Sequence, residues 1–187
     1  MNLGIEAANI RAGGGVTHLR NLIVHMKPLQ HGIQRIFLWA PSHVLDQLPD
    51  YPWLIKGYVK ALDRGLLSRF LWQKFQFKKR ALGCCDILYF PGGTASMRRL
   101  PYVTMNQNLL PFMPKERARY GLSKMYCRLR LLTWLQSRAY RHASGVIYLS
   151  DYAVKQLKTY RVSDEKLTVI PHGIQAQKNH YAKQSAD

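Results

Sequence analysis

The chain has 187 residues, 47% of them hydrophobic, and its 28 Lys and Arg against 10 Asp and Glu give a formal net charge of +18. That size and apolar content suit one domain with a buried core and exclude disorder throughout. No apolar run reaches the roughly 18 residues needed to cross a bilayer, and the opening Met1-Asn2-Leu3-Gly4-Ile5-Glu6 has neither a basic leader nor a cleavage site, so the sequence predicts a cytoplasmic protein.

In chain order, Leu3–Ala7 is a short apolar strand that runs into Asn9-Ile10-Arg11-Ala12-Gly13-Gly14-Gly15. Beyond the glycines, Val16, Leu19, Leu22, Ile23 and Met26 recur at helical spacing up to Pro28. Ile33–Ala40 is a strand closed by Pro41, and Ile55–Val59 a weaker one. Leu66–Leu82 is helical, with one stripe of Leu67, Phe70, Leu71 and Phe75 and another of Arg69, Gln73, Gln76 and Arg80. Asp86–Phe90 is a strand turning at Pro91-Gly92-Gly93, and Tyr102–Met105 is the next, ending in Asn106-Gln107-Asn108. Leu122–Ala143 repeats Leu122, Met125, Leu129, Leu132 and Ala139 at three to four residues and predicts a long helix. Gly145–Leu149 is a strand, Ser150-Asp151 caps a helix over Tyr152–Tyr160, and Leu167–Ile170 is a last strand before Pro171-His172-Gly173.

Strands alternating with helices, with glycines at strand ends, predict an α/β fold with a Rossmann-like parallel sheet covered on both faces. Right-handed crossovers then bring the loops at Gly15, Gly93, Asn108 and Ser150 to one sheet edge, where such folds bind ligands. Residues 1–174 form this domain; the polar tail 175–187 lacks periodicity.

Gly13-Gly14-Gly15 occupies the strand-to-helix turn, where backbone amides can cradle a phosphate. A dinucleotide fingerprint needs a third small residue where His18 stands and an acid near Pro41-Ser42-His43, so it does not fit. No Gly-Lys-Ser/Thr follows, which excludes a P-loop. Three glycines exceed what a tight turn needs, so the loop is read as facing a ligand. His18, one turn into the helix, is a candidate cleft residue, whereas His25, His31 and His43 read as helix-end or loop residues. Cys84, Cys85 and Cys127 have no ligand spacing and read as reduced thiols, with no metal site.

Taken together, Gly4–Leu19, Asn108-Leu109-Leu110-Pro111-Phe112, Ile147–Ala153 and Glu165–Ile174 resemble, in order, the motifs of glycosyltransferase family 4. The resemblance implies one half of a GT-B architecture, two Rossmann-like domains facing across a cleft. The N-terminal domain there holds the acceptor and the C-terminal domain the nucleotide-sugar. The reaction implied is retaining transfer of a sugar, of hexosyltransferase type, with no metal and no cofactor, the nucleotide-sugar being a donor substrate. By position, Gly13, Gly14 and Gly15 would lie beside the donor phosphates or the acceptor, Asn106, Gln107 and Asn108 would line the cleft, and Ser150 would sit at its rim. His172 and Gly173 would be hinge residues. Many members have a His where Asn106 and Gln107 stand here; neither amide titrates near neutral pH, so the catalytic residues stay unassigned. The family's donor-binding basic residue and paired glutamates have no counterpart before Asp187, so the expectation is an acceptor-side half with its donor domain missing and little activity alone.

The segments 64–85 and 117–150 contain basic residues and no carboxylate, interleaved with Phe70, Trp72, Phe75, Phe77, Tyr126 and Trp134. That mixture suits peripheral binding to an anionic membrane, here the inner face, with a lipid-linked or polysaccharide acceptor. The alternatives are a solvated basic face with the aromatics in the core, and a non-catalytic module that binds membrane or a partner. Nucleic acid is disfavoured, because no nucleic-acid module matches.

Overall fold

The structure, a computed structural model, describes residues 1–173 except Ser96, Arg161 and His172. The tail 175–187 and the hinge candidate His172 therefore lie outside the described residues. Seven strands, β1 (Asn2–Glu6), β2 (Arg35–Trp39), β3 (Leu54–Lys56), β4 (Ile87–Phe90), β5 (Tyr102–Asn106), β6 (Gly145–Tyr148) and β7 (Leu167–Val169), form one sheet. Their order is β3-β2-β1-β4-β5-β6-β7, and every neighbouring pair is parallel. The sequence-based α/β reading holds strand by strand, with ends displaced by a residue or two except in β3, which stops at Lys56, three residues short of the expected Val59.

Parallel pairing demands a crossover after each strand, and those crossovers sort the helices by side. Helices α1 (Gly14–His25) and α2 (Ser42–Leu45) follow β1 and β2 as the chain steps toward β3. From β3 the chain crosses to β4 and thereafter steps the other way. The helices of that return, α3 (Lys60–Asp63), α4 (Leu66–Leu71), α5 (Phe77–Cys84), α6 (Pro114–Ala118), α7 (Lys124–His142) and α8 (Asp151–Leu157), belong to the opposite side.

Two cores result. One gathers Leu3, Ile5, Ile36, Leu38, Tyr89 and Met105 beneath Val16, Leu19 and Ile23 of α1. The other gathers Leu88, Phe90, Tyr102, Val146 and Tyr148 beneath Trp72, Phe77, Ala81, Tyr140 and Leu157. Leu88, Tyr89 and Phe90 thus face alternate sides, as the two-residue period of a strand requires.

The helix predicted over Leu66–Leu82 is present but broken. Between α4 and α5 the chain makes a π turn over Trp72–Gln76, closed by the Phe77 amide on the Trp72 carbonyl. Five residues of α-helix would leave positions 72 and 77 on different faces. The wider turn lets both rings enter the core, with centroids 5.5 Å apart. The stripes fall accordingly: Arg69, Trp72 and Phe77 are buried, while Leu67, Phe70, Leu71 and Phe75 are exposed. The aromatics therefore divide between core and surface, a split that neither sequence alternative contained.

Helix α7 begins two residues later than the Leu122 expectation, because Ser123 accepts a hydrogen bond from the Tyr126 amide at 3.3 Å and caps it. Leu122 precedes the helix and is exposed.

Replacing Phe77 by Ala should cost about 3–5 kcal/mol by leaving a cavity among Trp39, Trp72 and Phe90. Phe75→Ala should change stability by no more than about 0.5 kcal/mol, since the ring is exposed. Urea midpoints of the two variants test the assignment, and equal losses would contradict it.

Candidate functional site

In an open parallel sheet, the crevice for a ligand opens where neighbouring strands send their connections to opposite sides. Here that point lies between β1 and β4. At the carboxyl ends of these strands, Glu6, Ala7, Asn9 and Ile10 face Gly92 and Thr94 across a space of about 10 Å³, the size of one water.

The glycine turn forms one wall of this edge. Gly13 has φ 66° and ψ −151°, a conformation open in practice only to glycine. Helix α1 starts at Gly14 with no side-chain cap and no acid in its first turn, which leaves its positive end available to an anion. A Cβ on Gly14 would meet nothing within 4 Å, so neither conformation nor packing requires a glycine there. A Cβ on Gly15 would lie 3.3 Å from Ile10 Cγ2 and 4.0 Å from Gln107 Oε1, which brings Gln107 to the glycine turn.

The other predicted site residues are dispersed in role. Asn106 is buried, and its amide donates to the Tyr140 hydroxyl at 2.9 Å. Asn108 Oδ1 accepts from the Leu110 amide at 3.0 Å, and Ser150 Oγ from the Ala153 amide at 3.3 Å, so both order local turns. His18 joins Gly14, Gly15 and Gln107 at one end of a long groove, and Gly173 borders the same groove.

That groove encloses about 1020 Å³ along α1, over Tyr89, Val103, Met105 and Ile147. It exists because the helices after β4 all lie on the other side, leaving β4–β6 bare here among the described residues. Its Gly14–His18 and Gln107 end, with Gly173, reaches the strand-end loops.

Glu6, Gln73, Arg69 and Arg11, to which the sequence reading gave no site role, complete the crevice edge. Glu6 is buried at the end of β1, where its carboxylate accepts from the Ala8 amide and from Gln73 Nε2, each at 3.0 Å. Desolvation pushes its pKa above the ordinary value, against the lowering effect of both hydrogen bonds. Arg69 is buried beside it, with Nη1 on Asn9 Oδ1 at 3.3 Å and its Nε without a partner among the described residues. Its pKa is lowered by desolvation and by the nearby Arg11 charge, so two guanidiniums share this edge. Among the described residues no carboxylate lies in ion-pair range of either. The signal available in the sequence was the four-residue spacing of Arg69 and Gln73, which puts them on one helix face.

Arg11 also donates to the Arg64 carbonyl at 3.2 Å, and His43 Nε2 pairs with the Arg11 carbonyl at 2.8 Å. Asp63 takes the Ser42 amide and hydroxyl, each at 2.7 Å. Desolvation pushes the Asp63 pKa up, but these hydrogen bonds and the His43 and Arg11 charges outweigh it and lower the pKa. The loops after β1, β2 and β3 are thereby tied together.

Gly13→Ala should cost about 1–3 kcal/mol from backbone strain, and Gly14→Ala no more than about 0.5 kcal/mol. Urea titration checks both; a large loss at Gly14 would mean the fold, not a ligand, selects that glycine. Glu6 carries a pH signature. The folded state holds its proton more tightly than the unfolded chain, so its contribution to stability is present below the ordinary value of 4.5 and is lost as pH rises through the raised one. Glu6→Gln should therefore be more stable than the parent at neutral pH, and the difference should shrink on acidification. Thermal melts at pH 4 and 7 decide it.

A comparison with curated proteins finds no match. The profile described as Glycosyltransferase Family 4 matches residues 12–178, from the residue before the glycine turn past the last strand. With a seven-stranded parallel sheet of the Rossmann-like kind and the glycine turn at its switch point, the chain belongs to glycosyltransferase family 4.

Proposed function

We propose that this domain is the acceptor-side half of a retaining, nucleotide-sugar-dependent hexosyltransferase, acting on a lipid-linked or polysaccharide acceptor at the inner face of the membrane. A donor-binding domain facing the same crevice completes the site. The observation that carries this reading is the make-up of the β1/β4 edge, where an uncapped helix N-terminus stands with Arg11 and Arg69 and, among the described residues, with no carboxylate paired to either.

Sugar transfer from a nucleotide donor needs its negative diphosphate leaving group stabilised as the glycosidic bond breaks. Amides at a helix N-terminus and guanidiniums serve that end, or hold an acceptor phosphate, without a proton transfer. The carboxyl at the edge, Glu6, is engaged by Ala8 and Gln73 and is assigned to positioning rather than base catalysis. One wall of a cleft surrounds neither substrate, so the domain alone binds acceptor but turns over little.

The test is transfer of radiolabelled sugar from UDP- and GDP-sugars into a lipid extract, with the chain alone and with a donor-binding domain added in trans. No transfer alone and transfer on addition is the expected result, and Arg69→Gln should lower the restored rate about tenfold or more through loss of a charge-assisted contact. Full transfer by the chain alone would overturn the division of labour, and an unchanged rate in the Arg69 variant would remove that guanidinium from the site.

A further inference from the structure

The end of α5 carries two adjacent cysteines. Cys84 is the last residue of the helix and half-buried, and Cys85 follows it in extended backbone and is buried. Their Sγ atoms lie 3.5 Å apart. Cys84 Sγ donates to the Arg80 carbonyl at 3.1 Å, one turn back, whereas Cys85 Sγ rests on β1. A Cβ on Gly4 would lie 2.8 Å from Cys85 Sγ, so this thiol occupies the space that the glycine leaves. The backbone around the pair is fastened to the same strand. Asn2 Nδ2 donates to the Cys84 carbonyl at 3.1 Å, the Asp86 amide to the Asn2 carbonyl at 2.9 Å, and the Asn2 amide to Asp86 Oδ2 at 2.6 Å. The Cys85 amide closes the helix on the Ala81 carbonyl at 2.9 Å. Burial, and then the hydrogen bond with Cys84, push the Cys85 thiol above its ordinary value. Cys85 therefore keeps its proton, and the more accessible Cys84 is the sulfur that meets a reagent first.

We propose that Cys84 and Cys85 form a thiol modification site, which a small-molecule disulfide oxidises to an internal disulfide, and that closing this bond unseats the end of α5 from β1. Cys84 attacks the small disulfide and displaces one thiol, which carries off the Cys84 proton. Cys85 then attacks Cys84 Sγ in the mixed disulfide and displaces the second thiol, which leaves with the Cys85 proton. The two cysteines lose two electrons, and the reagent ends as two thiols. To bond, the sulfurs must close from 3.5 Å to about 2.05 Å. Adjacent Cα atoms are about 3.8 Å apart, short of the roughly 4.4 Å at which disulfides usually begin, so the backbone must rearrange as well. That backbone carries the fastening to Asn2 and the helix-closing bond to Ala81. The ring encloses only the two cysteines, so it removes little freedom from the unfolded chain, and strain on the folded state is not offset. The same strain makes the bond easy to reduce, which suits a reversible mark rather than a permanent tie. The step is independent of any transferase activity. What it reaches is the β1/β4 junction, where Cys85 fills the space over Gly4 opposite Leu88.

The test uses the full chain carrying C127S, which removes the exposed third thiol. After incubation with oxidised glutathione in the absence of denaturant, the tryptic peptide spanning residues 81–98 should be lighter by two hydrogens and carry no adduct. An excess of dithiothreitol should restore its mass. The oxidised chain should unfold at a urea concentration lower by on the order of 0.5 M, because the folded state alone bears the strain. C84S/C127S given the same treatment should keep the urea midpoint of its own untreated sample. A glutathione adduct that persists on Cys84, disulfide-linked dimers alone, or two thiols that stay free would overturn the modification site. An internal disulfide that leaves the urea midpoint unchanged would overturn its coupling to β1.

Discussion

Everything at the crevice depends on how closely β1 approaches β4. Gly4 pairs with Leu88 across this junction, and a Cβ on Gly4 would lie 2.6 Å from Leu88 Cδ2 and 2.8 Å from Cys85 Sγ. The absent side chain lets the end of α5 and the Leu88 side chain lie directly over the central strand. Because β1 and β4 meet there while their connections leave to opposite sides, the glycine turn and the Gly92–Thr94 loop end up facing each other. Gly93 closes the second loop under a similar constraint, at φ 77° with the Tyr140 hydroxyl 2.9 Å from where its Cβ would be. The ligand edge is a consequence of packing the middle of the sheet.

The strands were legible because parallel strands buried on both sides are short uninterrupted apolar runs, such as Ile36–Trp39 and Leu88–Phe90. Their order was not legible: crossover handedness sets the face on which each helix lies, not the reversal between β3 and β4. What a helical stripe faces was not legible. Leu67, Phe70, Leu71 and Phe75 have the spacing of a core stripe and lie outside, because the π turn and the large Trp72 and Phe77 rings claim the interior. Periodicity records that two faces differ, not which one is buried. At the site, the glycine turn was visible as an excess of glycine over need. Glu6 was not, since a single acid at the end of an apolar segment resembles a strand end at the surface. Its burial and its hydrogen bond from Gln73, sixty-seven positions away, come only with the fold.

The two sides of the sheet differ in kind. One is roofed along its length by the helices of the return path, with Tyr102, Phe112, Tyr140 and Tyr148 in edge and stacked contacts. The other is roofed, among the described residues, only where α1 and α2 lie. This asymmetry follows from strand order and connection handedness together, and it explains why the capacious groove along α1 is not centred on the crevice.

The single extra residue of the π turn has a consequence for how this helix can change over time. Point substitutions on its outer stripe leave the inner stripe untouched, so the exposed surface and the crevice chemistry can vary separately, one residue at a time. A one-residue deletion between Trp72 and Phe77 has a different character. It would rotate everything beyond it by about 100° about the helix axis, setting one stripe out of phase with the other. The length of this segment is therefore under tighter constraint than its composition.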